Sequence, residues 1–239
     1  MLAAETVEVG VHKELHFLGL TFNLDTLIST ALAAAIVLAF VVYVARKATG
    51  GVPSGLQLTF ETVTEQIEEQ VEDQVGIRTA PFVVPLAISL FFFILISNLL
   101  SILPHAFETY VRPPTSDVNL TFALAFFVIV MVHITGIRAR GAKKYFAHFA
   151  HPYPFLVPLE IITEIVKPFT LALRLFGNIL SGGVMVAVIA LMPWWINWAP
   201  TSLWKLFDLF VGVLQAFIFA LLTIIYFGFA VGSGEDEAH

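Results

Sequence analysis

Residues 158–183 read PLEIITEIVKPFTLALRLFGNILSGG. The stretch is almost wholly apolar, yet Arg174 stands in its middle. Arginine keeps its proton at any accessible pH, and placing it at mid-bilayer costs about 2.5–3.5 kcal/mol on insertion scales. Glu160, Lys167, Arg174 and Ser181 recur every seven residues, and Asn178 follows Arg174 by four. At the helical step of about 100° per residue, these five side chains fall within about 80° of one another. The stretch therefore reads as a helix with one polar stripe among faces of Leu, Ile, Val and Phe. That stripe faces water or another charged element. The plainer alternative is a set of packing contacts inside a helical bundle.

Working outward, the rest of the chain has the composition of a membrane protein. It has 239 residues, 58% hydrophobic and 13% charged, with a mean hydropathy of +0.88. Such values exclude an ordinary soluble domain. Several runs reach the ~20 residues that cross a bilayer as helix, and none alternates as a β-barrel strand would. The expected fold is one all-α polytopic membrane domain over residues 1–239. It has about five membrane helices, one amphipathic surface helix and a long tilted C-terminal hairpin. The net charge of −6 says little, because the acids are clustered. Without cysteine there is no disulfide, thiolate metal site or Cys nucleophile. No cofactor, metal or nucleic-acid motif is read, and the opening MLAAETVEVG lacks the basic stretch and apolar core of a signal peptide.

Residues 1–23 form a mixed lead, with His12, Lys13, Glu14 and His16. The first membrane helix is expected over 24–45, and Arg46 and Lys47 put its end in the cytoplasm. Gly50, Gly51, Pro53 and Gly55 make a break. Residues 57–75 keep Phe60, Val63, Ile67, Val71 and Val75 at helical spacing beside Glu61, Glu65, Glu68, Glu69, Glu72 and Asp73. This helix is too polar to span and too acidic to be held by an anionic leaflet. Its apolar face is expected to dock a protein partner, with packing on its own bundle as the alternative. The second membrane helix (81–103) holds Ser97, Asn98 and Ser101. Asn98 is either an interhelical hydrogen bond or a channel group. A polar loop over 104–119 precedes the third helix, 118–136, where His133 is expected at the interface with no special task. Arg138, Arg140, Lys143 and Lys144 mark a second cytoplasmic loop. The opening helix runs over 154–191. Pro193, Trp194, Trp195, Trp198 and Trp204 then form an interfacial belt, and a last helix over 201–231 leads to an acidic tail at 232–239. Five crossings put the N-terminus outside and the C-terminus in the cytoplasm.

The last helix repeats the spacing of the first stretch, with Asp208 and Gln215 seven apart. A short turn makes the final two helices antiparallel. Asp208 then lies toward the outside, Gln215 near the level of Arg174, and Glu160 and Glu164 toward the inside. Desolvation raises a carboxylate's proton affinity and a nearby cation lowers it, so such groups can exchange protons near neutral pH. The layout suits two water-filled half-paths separated by a charge that cannot be neutralised. Asp208 is read as a proton carrier. The alternative is a helix-start acid favoured by the dipole, but Thr201 and Ser202 are the better cap candidates.

SNLLSILP at 97–104, PTSDVN at 114–119, KPFTLALRLFGN at 167–178 and LQAFIFALLTIIYF at 214–227 together resemble subunit a of the F-type ATP synthases, called subunit 6 in mitochondria. The resemblance covers nearly the whole chain after residue 55. It implies a non-catalytic stator subunit of a bacterial cell membrane, beside a rotating c-subunit ring, with peripheral-stalk b-type subunits and the F1 ATPase head in the same complex. It places the family's essential arginine on Arg174, its neighbouring asparagine on Asn178 and its glutamine on Gln215. The inner-path glutamate falls on Glu160, the lysine before the proline on Lys167 and the helix-end asparagine on Asn98. There are departures. Many bacterial members carry glutamate at the position of Gly183, histidine at that of Asp208 and, in some, aspartate at that of Ser101, so Asp208 is expected to take the outer acid's role, opposite Gly183. Two other classes compete. A midplane-site secondary transporter lacks support from any visible inverted repeat. An intramembrane protease lacks HExxH, and GSGE at 232–235 lies in the tail.

Overall fold

The computed structural model describes residues 14–17, 20–48, 54–101, 113–148, 155, 157–193 and 195–232. The expectations for residues 1–13, the break at 50–53, most of the polar loop, the helix start at 154, Trp194 and the tail lie outside these residues. The described chain is all-α apart from one small hairpin, β1 (Glu14–Phe17) and β2 (Leu20–Asn23), paired antiparallel with Leu15 opposite Phe22. The helices are α1 (Leu24–Lys47), α2 (Gly55–Gln74), α3 (Val83–Leu100), α4 (Val118–Arg140), the short α5 (Ala142–His148), α6 (Val157–Ala190) and α7 (Trp198–Val231). Of these, α1, α3, α4, α6 and α7 are long and apolar enough to cross a membrane. The five expected spans are thus present, the third running four residues past its expected end at 136 to finish on Arg140.

Helix α7 is the spine, packed against α2, α3, α4 and α6. Its contact with α3 is close because Gly212, Ala216 and Ala220 recur every fourth residue and are all buried. Small residues at that spacing let helix backbones approach in lipid, where packing rather than hydrophobic transfer drives association. A methyl group at Gly212 would stand 3.1 Å from Asn98 Cβ, and one at Gly228 would stand 2.6 Å from the Gln74 carbonyl oxygen. At its C-terminal end α7 stops on Gly232, whose φ of 84° is left-handed, and Arg140 Nη2 donates to the Phe229 carbonyl at 3.2 Å. Both devices satisfy carbonyls that a helix end leaves free.

The amphipathic helix required a correction. Its apolar face is already used by this chain. Ile67 and Val71 of α2 and Val75 beyond it are buried in the main core with α3 and α7. Phe60 stacks on Phe92 at 5.4 Å between centroids and meets Phe40 of α1 at 6.0 Å. The face expected to dock a stator partner is therefore a bundle contact, and the acids of α2 point outward. Acidic side chains repel an anionic leaflet, while the helix's apolar side finds hydrocarbon on α3 and α7 without leaving the protein.

Candidate functional site

Helix α6 carries the candidate site because its polar stripe is left bare. Pro168, Leu171, Ala172, Leu175, Gly182 and Ile189 face the bundle, with Phe169 wedged edge-on against Phe122 of α4 at 5.5 Å. Glu160, Arg174 and Ser181 are exposed, and Lys167 and Asn178 are partly exposed. Among the described residues, no carboxylate forms an ion pair with Arg174.

Depth along the α6–α7 pair follows from two contacts. Gly182 lies against Asp208, where a methyl group would stand 2.9 Å from Oδ1. Toward the start of α6, Lys167 Nζ lies 5.6 Å from the Tyr226 ring centre. At 1.5 Å per residue this antiparallel register puts Gln215 level with the turn from Arg174 to Asn178. Gln215 is buried with Nε2 lacking any hydrogen-bond partner, and Asn178 Nδ2 is likewise buried and unpartnered. Two unsatisfied amide donors and one unpaired guanidinium thus share one depth. Buried donors are normally satisfied; these two are enclosed by the chain's own atoms and meet no acceptor within it.

The end of the pair that holds Asp208 is organised differently. Asn98 Nδ2 donates to the Gly212 carbonyl at 3.0 Å, and Thr115 Oγ1 donates to Asn98 Oδ1 at 3.3 Å. Of the two readings of Asn98, the interhelical hydrogen bond is the one observed. Lys205 Nζ donates to the Ser101 carbonyl at 2.9 Å. Asp117, part of the PTSDVN segment, caps α4 through the Asn119 N–H at 2.8 Å and accepts from Asn23 Nδ2 and Thr26 Oγ1, both at 2.7 Å. It ties the start of α1 to that of α4. Helix α7 begins at Trp198 with no side-chain cap bond, so Asp208 sits ten residues inside the helix, too deep to cap it. A cleft of about 400 Å³, lined by Val186, Ala190, Asn197, Trp198, Thr201 and Ser202, opens above it. Gly183 does not face Asp208. A methyl group there would meet nothing within 4 Å, and the neighbour across the helix pair is Gly182. One residue is 100° of helix, which turns Gly183 outward.

At the opposite end Lys167 Nζ donates to Glu164 Oε2 at 2.5 Å, and Glu164 Oε1 lies 3.7 Å from His133 Nε2. Glu160, one turn closer to the start of α6, stays exposed. His133 is the residue that sequence reasoning passed over. It belongs to this cluster and not to a featureless interface.

Such a chain is a polytopic α-helical membrane protein with one bare, charged helix face at the bilayer's depth. Comparison with known proteins gives the class a family. A family model described as ATP synthase A chain matches residues 27–228. ATP synthase subunit a of Acidothermus cellulolyticus is 47% identical over 238 residues, covering 100% of this chain and 88% of the relative. That of Mycobacterium marinum is 50% identical over 250 residues, covering 99% and 98%. ATP synthase subunit a 2 of Vibrio campbellii is 34% identical over 226 residues, covering 87% and 88%. The chain belongs to the ATP synthase A chain family. Its setting is the membrane sector of an F-type ATP synthase, in ATP synthesis and proton transport.

Proposed function

We propose that this chain is the proton-translocating stator of that sector, giving a rotating c-subunit ring two half-channels that Arg174 keeps apart. The observation that carries the reading is Arg174 itself, exposed and without an ion pair among the described residues on the bare face of α6. A permanent cation in that position is costly unless an anion comes to it. A ring of carboxylates moving past supplies one. When a ring carboxylate is ionised, Arg174 attracts it in low dielectric; when it is protonated, the attraction vanishes and the ring is free to turn into lipid. Gln215 and Asn178 reach the same carboxylate with their unpartnered N–H groups by turning those side chains toward the bare face. Asp208, beneath the outer cleft, serves the outer path, and Glu160, Glu164 and Lys167 serve the inner one. The chain itself makes and breaks no covalent bond. Asn98 braces α3 against α7 beside the outer path.

The same reading places the protein in a bacterial cell membrane, N-terminus outside and C-terminus in the cytoplasm, with Arg46, Lys47, Arg138 and Arg140 on the inner side. Peripheral-stalk b-type subunits and the F1 head complete the complex. Moving one charge through the membrane field is worth about 2.3 kcal/mol per 100 mV, so an unguarded route between the half-channels would leak. Arg174→Ala is expected to abolish ATP synthesis in inverted vesicles and to permit passive proton leak. Arg174→Lys is expected to fail as well, because a desolvated ammonium can lose its proton. Synthesis at the wild-type rate by either variant refutes the reading.

A further inference from the structure

His133 lies on α4, seven residues before its basic end at Arg140, and Glu164 lies seven residues into α6. Both are therefore near the inner ends of their helices. His133 Nδ1 is 2.8 Å from the Ile129 carbonyl oxygen. A carbonyl has no proton to give, so Nδ1 must carry the hydrogen and donate it. This leaves Nε2 with its lone pair free, and Nε2 is the nitrogen facing Glu164 Oε1 at 3.7 Å. Lys167 holds the other carboxylate oxygen, Oε2, at 2.5 Å, so Oε1 remains open to the histidine. If Nε2 and Oε1 were both without a proton, two lone pairs would face each other in a partly buried site. Either an imidazolium Nε2–H or a carboxylic O–H removes that conflict.

We propose that His133 and Glu164 form a one-proton relay at the inner mouth, the proton passing between His133 Nε2 and Glu164 Oε1 on its way between the cytoplasm and the ring. In one direction the Nε2–H bond breaks as the Oε1–H bond forms, and the imidazole returns to neutrality. No other bond changes and no electron moves. The proposal rests on the half-channel reading above and assigns it a residue on a third helix.

The charged and titratable groups around the relay support this division of labour. From α6 come Glu164 and Lys167. From α7, Tyr226 lies within electrostatic reach of Glu164 and of Arg174, which joins the relay to the centre of the site. From α5, Tyr145 meets the His133 ring edge-on at 6.0 Å. Burial, then the negative charge of Glu164, pushes the Tyr145 hydroxyl up to about 12, with Arg140 pulling the other way. Tyr145 thus stays protonated across the working range and shapes the pocket without carrying protons. Lys167 holds Glu164 Oε2 and so keeps the carboxylate in place with Oε1 toward the histidine.

The test uses the whole enzyme in inverted vesicles, whose outer face is the cytoplasmic one. ATP-driven proton uptake is measured against external pH for wild type, His133→Gln and Glu164→Gln, with Arg174→Ala as a separate control. The relay predicts that each of the first two variants moves the alkaline limb of the profile by about one pH unit or more, and that the double variant moves it no further than either alone. A merely structural role would lower the rate without moving the limb. For a variant that assembles but does not pump, infrared spectroscopy of the purified complex is the second measurement. A pH-dependent carboxyl band that is lost in Glu164→Gln and altered in the His133 variant supports the relay, and no such band overturns it. Wild-type profiles in both variants, beside an inactive Arg174→Ala, overturn the relay alone. Coupled pumping by Arg174→Ala overturns the half-channel reading.

Discussion

Gln215→Leu should separate stability from function in opposite directions. Gln215 is 5% exposed, and its Nε2 lies in the protein with no acceptor. An unsatisfied buried donor costs about 1–3 kcal/mol. Leucine is close to glutamine in volume and brings no donor, so the substitution removes that cost without opening a cavity. The purified chain in detergent is expected to gain about 1–3 kcal/mol, read as a rise of about 2–4 °C in unfolding midpoint per kcal/mol for a chain of this size. ATP synthesis in inverted vesicles, at matched subunit content, is expected to fall by about tenfold or more. That is the equivalent of one lost hydrogen bond to a charged partner, worth about 1.5–3 kcal/mol. Gln215→Ala leaves a void beside Gly212 and Ala216 and should lower the midpoint while losing the same function. A Gln215→Leu protein that melts below wild type and synthesises ATP normally would refute the reasoning, since the amide would then be a packing element with a partner.

Asp208→Asn keeps the shape but cannot ionise, and is expected to slow ATP synthesis by about tenfold or more, with Asp208→Glu retaining much of the rate; wild-type synthesis by the asparagine variant would assign the outer path elsewhere. Gly228→Ala drives a methyl group to 2.6 Å from the Gln74 carbonyl oxygen and is expected to cost about 1–3 kcal/mol, measured as a lower unfolding midpoint with unchanged synthesis per assembled complex. Ile67→Ser, in the core face of α2, is expected to destabilise the chain by about 2–5 kcal/mol. Recovery of peripheral-stalk subunits should then fall only in proportion to the chain, and a larger loss would restore that face as a docking surface.

The spans and the polar stripe were legible because each depends on periodicity within one segment. The five membrane helices follow from unbroken apolar length, and the stripe from a seven-residue recurrence between Glu160 and Ser181. What failed depended on packing between segments. The apolar face of α2 is visible in sequence, but its partner is not: a stretch spaced like Phe60, Val63, Ile67 and Val71 fits a foreign helix as well as α3 and α7. The hairpin at Glu14–Asn23 has only eight strand residues, too few for alternation to stand out. His133 was missed because its significance lies 31 positions away at Glu164, across a basic loop, and no spacing rule spans two helices of unknown register. Gly183 was placed opposite Asp208 for the same reason: antiparallel pairing was foreseen, but a one-residue error in register is 100° of rotation.

The charged and amide groups at the ends and the centre of this bundle are used differently, and the difference is itself an argument about function. At the end that holds Asp208, Asn98, Thr115, Asp117 and Lys205 make hydrogen bonds that lock helix to helix or helix to loop, although Ser29, Ser97 and Trp204 there also keep buried polar atoms without partners. At the opposite end, His133, Glu164 and Lys167 make contacts with one another. Between them, Arg174, Asn178 and Gln215 are left with a bare guanidinium and two unpartnered amides. A chain that had only to be stable would satisfy its central groups first, because the bilayer midplane is where an unpaired donor or charge is most costly. Rigid walls at one end, exchangeable groups at the other and an unsatisfied centre are what a fixed surface needs if a moving carboxylate is to bind briefly at its middle and leave again. Pairing Arg174 permanently within the chain would stabilise the fold and remove the one interaction that a passing partner can complete.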